Sequence, residues 1–220
     1  MVVGLAVAVA VVAVTVVLAV VLRGGKGEKA PRVSSSSAAL QSAKRVALTP
    51  PDWGSGFVQD DPYENDDLNT YFLDSGCKNV QAPLASALAE VRRNVKTSDR
   101  TVYAYSSVTV YSSPAFAQAD AARTRQDGQR CPKQTDTMSK TRWEGVHEVA
   151  VPTLKGLDDM AVEEGRQVAD QTGKAMNNYY TYLTARQGQF LMQVFVTRAD
   201  SQDGNLNDAI NALSTMLRRL

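Results

Sequence analysis

The chain has 220 residues, 44% of them hydrophobic, and its 24 basic and 23 acidic side chains give a formal net charge of +1. From Val46 onward there are 18 basic and 22 acidic side chains, a net charge of −4. Because an acidic body without a basic stripe is unsuited to a polyanion, we exclude nucleic acid as a partner.

An apolar run opens the sequence. Val2 to Leu22 are 21 consecutive residues without a charged side chain, nearly all Val, Ala or Leu. As a helix they would span roughly 32 Å, which matches a bilayer core. A cleaved secretory signal is the alternative, but its apolar region is shorter and follows basic residues. We therefore expect a transmembrane anchor over residues 1–22, with the membrane as a partner.

Residues 23–47 are rich in Gly, Ser, Lys and Ala, which predicts a flexible juxtamembrane linker. The segment from Arg23 to Arg45 has six basic residues and one acidic residue, and the positive-inside rule would place it in the cytoplasm. The cysteines favour the other side. Cys77 and Cys131 lie in polar, loop-like settings typical of a disulfide in an oxidising compartment, although two unrelated cysteines are the alternative. We expect an extracytoplasmic body.

Residues 48–220 are enough for one domain with a sizeable core. In "PLASALAEVRRNVK" the apolar residues Leu84, Leu88, Val91 and Val95 recur at helical spacing, which predicts an amphipathic helix. "RTVYAYSSVTVY" alternates instead and predicts a strand. A helix should follow, with Ser113 as its N-cap, Pro114 in its first turn and Gly128 as its stop.

Four segments of strand length come later: "RWEGVHEVAVP", "DDMAVEEGRQVA", "KAMNNYYTYLTAR" and "QFLMQVFVTR". Gln187 and Gly188 join the last two as a hairpin. A final helix, "NLNDAINALSTMLRRL", should be capped by Asn205. The pattern predicts an α+β fold with a mostly antiparallel sheet flanked by helices and preceded by one N-terminal transmembrane helix.

Little in the sequence predicts catalysis. His147 is the only histidine, and no G-x-S-x-G motif accompanies it, so we expect no catalytic residues and no enzyme activity. "QDDPYENDDLN" has acidic side chains that could bind calcium, but it lacks the EF-hand pattern. We expect a solvated acidic loop there, with no metal and no cofactor. Its acidic residues are Asp60, Asp61, Glu64, Asp66 and Asp67.

Tyrosines suggest the one candidate binding surface. Tyr103 and Tyr105 share one face of a predicted strand, and Tyr180 and Tyr182 share a face of another. If the two faces meet, they form an aromatic surface with hydroxyl tips, suited to sugars, peptides or lipid headgroups. The alternative is a sheet whose aromatic residues pack under helices, since strands favour tyrosine in any case.

The sequence resembles the PknH-type extracellular sensor domain family of actinobacteria. The resemblance lies in "LTPPDWGSGF", "VTVYSSPAFAQADAARTRQDGQRCP" and "YYTYLTARQGQFLMQVFV" with an Ala- and Leu-rich terminal helix, and spans residues 48–220. It implies an antiparallel sheet with helices beside it, a cleft for a ligand, and a disulfide that joins Cys77 to Cys131. Kinase-attached relatives can have two disulfides. No kinase segment precedes the apolar run here, so we expect no phosphorylation by this chain.

Two functions follow as hypotheses. The first is a membrane-anchored, extracytoplasmic sensor-like domain that binds an envelope ligand without chemistry, and it expects a concave pocket with convergent polar groups. The second is a structural or protein-interaction module of the cell envelope that holds a membrane protein. It expects an exposed patch and no small-molecule pocket.

Overall fold

The structure is a computed structural model that describes residues 32–171, 174–199 and 201–220. The anchor expected over residues 1–22 lies outside this part of the chain, as do linker residues 23–31. Within the described ranges, no helix is both long and apolar enough to cross a membrane.

An eight-stranded antiparallel sheet organises the fold, in the order β1-β4-β5-β10-β9-β8-β7-β6, and a separate hairpin pairs β2 with β3. The predicted α+β class and antiparallel sheet are confirmed. The strands are β1 (Phe57–Asn65), β2 (Asn69–Leu73), β3 (Asn79–Pro83), β4 (Ala87–Thr97), β5 (Val102–Tyr111), β6 (Lys133–Asp136), β7 (Thr141–Val149), β8 (Asp159–Gln171), β9 (Lys174–Gln187) and β10 (Phe190–Arg198).

Helices cover the two faces of the sheet unequally. They are α1 (Ser36–Val46), α2 (Pro114–Arg130) and α3 (Asn205–Leu217), with a 3-10 turn at Pro50–Trp53. On one face, α1 packs on β4 and β5, and α3 packs on β10 and β9, and together they enclose the main hydrophobic core. Of the described helices, α2 is the one on the other face, where it lies over a small cluster that includes Tyr111 and Leu191.

The strands obey the period of two that sequence patterning expects. In β5, Val108 and Val110 face the main core, whereas Tyr105 and Tyr111 face the side of α2. β10 has apolar residues on both faces, because it is a central strand covered on both sides. The predicted hairpin of β9 and β10 is confirmed, with Gly188 and Gln189 as its connecting residues.

The predicted helix in "PLASALAEVRRNVK" is wrong. Pro83 ends β3. The residues from Ala87 to Thr97 form β4, a strand of 11 residues that lies between β1 and β5. The mistake has a simple cause: Val91 and Val95 are four residues apart, a spacing that fits both a helix turn and two periods of a strand. Both side chains are fully buried in the main core.

The expected flexible linker over residues 23–47 is wrong in its second half, where α1 forms. Ser35 accepts a hydrogen bond from the backbone N–H of Ala38 and caps the helix. Ala39, Ala43 and Val46 are completely buried. These residues recur at the helical spacings of four and three. Because two of them are alanines, the buried face differs little in hydrophobicity from the rest of the segment, and the composition alone suggests a spacer.

Smaller corrections concern the acidic segment and two helix ends. Asp60, Asp61 and Glu64 belong to strand β1 rather than to a loop, and Asp60 and Glu64 form ion pairs with basic residues. α2 begins as predicted at Pro114 but continues two residues beyond Gly128. α3 starts at Asn205 with Gly204 in the capping position, so Asn205 is a helical residue and not the cap.

Candidate functional site

A cleft of about 780 Å³ lies on the face of the sheet that carries α2. Its floor is the part of this face that α2 leaves uncovered, and its walls are the β2–β3 hairpin, α2 itself and the β6–β7 hairpin. Its lining includes, from the floor, Arg92, Asn94, Tyr103, Tyr105, Glu163, Gln167, Asn178, Tyr180, Tyr182, Gln193, Phe195 and Thr197, and, from the walls, Tyr71, Phe72, Arg123, Asp127, Gln134 and Trp143.

The position of α2 explains why part of the face stays open. The helix begins three residues after β5 ends, and its buried Ala117 and Ala121 pack on Tyr111 and Leu191. The Tyr111 hydroxyl donates a 2.6 Å hydrogen bond to Asp120 in the helix. The helix therefore covers the end of the sheet near the β9–β10 turn and leaves the opposite end to the cleft.

A row of stacked side chains crosses this floor from strand to strand. The Tyr105 and Phe195 rings have centroids 5.2 Å apart and planes 12° from parallel. Phe195 stacks in turn on Tyr180, with centroids 5.5 Å apart. On the other side of Tyr105, the Arg92 guanidinium carbon lies 3.7 Å from the ring centroid. We call Arg92, Tyr105, Phe195 and Tyr180 the aromatic row.

Register creates this row. Phe195 is directly opposite Tyr105 on β5, and Tyr180 on β9 is opposite Thr197, so it lies diagonally next to Phe195. Tyr182, the direct partner of Phe195 on β9, has its ring tilted by 60° and is not part of the row. Because each ring is nearly parallel to the ring on which it stacks, the rings turn their faces to one another. An aromatic edge carries partial positive charge, whereas the face carries negative charge.

Beyond the aromatic row, the floor ends at Glu163 on β8. The Tyr180 hydroxyl donates a 2.7 Å hydrogen bond to its Oε1. Burial raises the pKa of the Glu163 carboxyl to about 7, an effect that Tyr180 opposes and that the nearby Asp127 carboxylate reinforces. Gly128 of α2 lies against this carboxyl group, so helix and floor meet closely here.

A second buried acid, Glu90, lies on β4 two residues before Arg92. It accepts a 2.9 Å hydrogen bond from the Ser107 hydroxyl at Oε1. Its Oε2 is buried and has no hydrogen-bond partner among the described residues. Burial raises the pKa of Glu90 to about 7, although Ser107 and Arg92 favour the charged form.

The disulfide fixes one wall of the cleft. Cys77 and Cys131 are joined, which confirms the predicted pairing, and the bond links the turn of the β2–β3 hairpin to the residue after α2. Arg130 reinforces this connection by donating hydrogen bonds to the backbone oxygens of Leu73, at 3.2 Å, and Asp74, at 2.9 Å. Among the residues that the structure describes, strand pairing between the hairpin and the large sheet is limited to the Lys78–Thr135 bridge. The hairpin is thus held over the sheet mainly from its turn.

All four tyrosines singled out from the sequence line the cleft. Tyr103, Tyr105 and Tyr182 are partly exposed, whereas Tyr180 is almost completely buried. Packing of a tyrosine under a helix, the alternative, describes Tyr111. That these residues bind a ligand is still a prediction.

Sequence reasoning missed Arg92, Phe195 and Glu163 as cleft residues. Arg92 was placed on a helix, and Phe195 in an apolar strand resembles an ordinary core residue. His147 is exposed on β7, with Nδ1 2.8 Å from the Gly145 carbonyl oxygen. Among the described residues, no three His, Cys, Asp or Glu side chains converge as a metal site would require.

A search of solved structures finds the same fold in an extracellular domain. The likeness is to the extracellular domain of PknH from Mycobacterium tuberculosis, with a TM-score of 0.54 and 8% sequence identity over 88% of this chain and 100% of that chain. The PknH-like sensor-domain fold expected from the sequence is therefore confirmed. At this identity the likeness establishes the fold alone.

Two further structures match less well. One is an uncharacterised protein from Mycobacterium smegmatis, with a TM-score of 0.42 and 11% identity over 74% of this chain and 90% of that chain. The other is LpqN of Mycobacterium tuberculosis, described as involved in cell envelope biogenesis, with a TM-score of 0.23 and 11% identity over 74% and 87% of the two chains. No protein-family model matches the sequence, and the search of curated proteins finds no relative.

Proposed function

We propose that this chain is a membrane-anchored, extracytoplasmic sensor-like domain that binds a ligand of the cell envelope in its cleft and catalyses no reaction. The cleft is the observation that carries the proposal. Its volume of about 780 Å³ lies within the range of small-molecule sites, and its floor combines aromatic rings with polar side chains. A concave pocket of this kind is what the sensor hypothesis expects and what an interaction module does not need.

Three further features support an extracytoplasmic, membrane-tethered location for the domain. The PknH domain that shares this fold is extracellular according to its structural description. The Cys77–Cys131 disulfide suits an oxidising compartment. The apolar run from Val2 to Leu22 is long enough to tether the domain to a membrane.

Filling the cleft tests this proposal. Gln193 lies on β10, a central strand of the sheet, and lines the floor, so replacing it by Trp should block the site. The matched control is Gln118→Trp, an exposed position on α2 that does not line the cleft. The full chain in detergent micelles is incubated with a fractionated envelope extract, and bound molecules are identified by native mass spectrometry.

We expect a small-molecule adduct on the wild type and on Gln118→Trp, and its loss from Gln193→Trp. Thermal melting of both variants checks that they fold. An adduct that persists in Gln193→Trp would place binding outside the cleft. If the wild type binds no small molecule from any fraction, the interaction-module hypothesis becomes the better one.

A further inference from the structure

Among the described charged side chains that line the cleft, Arg92 stands apart because it lacks an ion-pair or hydrogen-bond partner. Most charged groups that line the cleft already have partners of opposite sign: Asp60 pairs with Lys96 at 2.7 Å, and Arg123 pairs with Asp120 and Asp127. Asp136 accepts hydrogen bonds from its own turn. Arg92 differs, because it makes no ion pair and donates no hydrogen bond to any described residue.

Stacking explains how Arg92 is held without such a partner. The guanidinium lies over the Tyr105 ring, and this cation–π contact holds the group in place through its face. The N–H donors of a guanidinium lie in its plane, so stacking leaves them available to a ligand. A planar, pre-oriented guanidinium with unused donors is suited to bidentate recognition of a carboxylate or phosphoryl group.

The floor of the cleft beside Arg92 also favours a ligand with negatively charged or electron-rich oxygens. The stacked rings of Tyr105 and Phe195 line the cleft next to Arg92, and the edge of an aromatic ring carries partial positive charge. Gln193, Gln167 and Asn178 also line the cleft, and among the described residues none of their side-chain amides is hydrogen-bonded to the protein. These amides can donate to the oxygens of a ligand.

Among the described residues, no carboxylate forms an ion pair with Arg92. Glu90, the acid nearest along the strand, is bonded to Ser107, and burial disfavours its charged form. Glu163, at the other end of the row, is bonded to Tyr180. Both carboxyl groups are therefore poor substitutes for an external anion.

We propose that the ligand of this cleft carries a carboxylate or phosphoryl group that pairs with the Arg92 guanidinium. The inference rests on the proposed function, since it assumes that the cleft binds a ligand, and it adds the chemical class of that ligand. Arg92 is its anchor, and the amides of the floor bind the uncharged remainder.

Inorganic phosphate serves as the probe, titrated into the ¹⁵N-labelled full chain in detergent micelles at constant ionic strength. The measured quantities are the shifts of the Arg92 Nε–Hε signal and of the Gln193 backbone amide. The matched control variant is Arg142→Gln, which removes an exposed arginine that pairs with Glu144 outside the cleft. Arg92→Gln removes the charge but keeps a planar end group. Arg92→Lys keeps the charge but loses the planar guanidinium that can form two parallel hydrogen bonds.

We expect saturable shifts in the wild type and in Arg142→Gln. Arg92→Gln should weaken phosphate binding by roughly 10-fold to 100-fold, the effect of losing charge-assisted hydrogen bonds, and Arg92→Lys should lie between. Equal binding by Arg92→Gln and Arg142→Gln would overturn the proposal, as would shifts that do not saturate in the wild type. Melting temperatures of all variants show whether a loss comes from unfolding.

Two further probes separate the sources of such a group. Glycerol 3-phosphate represents a soluble ligand, and vesicles containing phosphatidylglycerol represent a lipid headgroup, with phosphatidylcholine vesicles as the control. Arg92-dependent binding of either supports the inference and names its source. If a neutral envelope molecule binds the cleft equally well in Arg92→Gln, the inference fails while the proposed function stands.

Discussion

Glu163 and Gly128 are in such close contact that a Cβ atom at position 128 would lie 2.2 Å from Glu163 Oε2. The two residues come from β8 and α2, so the helix approaches the sheet closely at this point. A glycine inside a helix normally costs about 1 kcal/mol relative to alanine. Its presence here is explained by the carboxyl group that would otherwise collide with the side chain.

Gly128→Ala should therefore destabilise the domain, although the same change stabilises most helices. We expect the free energy of unfolding to fall by about 1 to 3 kcal/mol, the usual cost of overpacking, because Glu163 must move and weaken its bond to Tyr180. Urea denaturation measures the change. In a background of Glu163→Ala the same glycine substitution should become neutral or stabilising, and equal costs in both backgrounds would contradict this explanation.

Glu90→Gln should make the domain more stable at neutral pH. The pKa of Glu90 is about 7 in the folded chain, above its ordinary value of 4.5, so folding retains a proton that the unfolded chain releases. The contribution of protonated Glu90 to the free energy of unfolding is then fully present below about pH 4.5, and it is lost as the pH rises to about 7. The variant lacks this loss, so its stability advantage over the wild type should grow by about 3 kcal/mol across that interval.

Denaturation at a series of pH values measures the effect of Glu90→Gln, and Glu148→Gln is its control. Arg125 and Gln129 bind the Glu148 carboxylate and lower its pKa, so that residue stabilises the fold above its ordinary pKa and loses the effect as pH falls. Glu148→Gln should therefore change the pH profile in the opposite direction. Parallel profiles for Glu90→Gln and the wild type would show that Glu90 is charged when folded.

Reduction of the disulfide should loosen the hairpin wall before the sheet. The bond closes a loop of 54 residues, which is worth about 4 kcal/mol in the chain-entropy model. We expect a loss of this order in the free energy of unfolding, with faster hydrogen exchange at β2 and β3 than at β5 and β10. A variant with alanine at both Cys77 and Cys131 should have the same free energy of unfolding as the reduced protein, and adding reductant should not change it. Uniform exchange over the whole sheet would contradict a local role.

Gln189→Ala should cost more than its single side chain suggests. The buried Gln189 amide accepts from the Val33 N–H at 3.1 Å and donates to the carbonyl oxygens of Val33, at 2.7 Å, and Tyr111, at 2.8 Å. Its loss leaves three buried backbone groups unpaired, so we expect about 2 to 4 kcal/mol of destabilisation by urea denaturation. Gln118→Ala, at an exposed position, is the control and should be nearly neutral. A small effect of Gln189→Ala would indicate that water replaces the amide.

The sequence patterns that predicted the fold correctly are local ones. Alternation in β5 and the Ser113–Pro114 start of α2 are visible within a few residues. The aromatic row has no such signal, because its four members come from β4, β5, β10 and β9, and only their register brings them together. Tyr103, Tyr105, Tyr180 and Tyr182 could be suggested from strand faces, whereas Arg92 required knowing that β4 is a strand.

The hydrogen bonds between Gln189 and Val33 also bear on the position of the cleft relative to the N-terminal end of the domain. They fasten Val33, close to the first described residue, beside the β9–β10 turn at one end of the sheet. The cleft occupies the other half of the same strands, and Thr197 is roughly 25 Å along β10 from this turn. In a tethered chain, attachment and binding would thus lie at opposite poles. The proposed ligand would then reach the cleft at the end of the sheet that lies away from Val33.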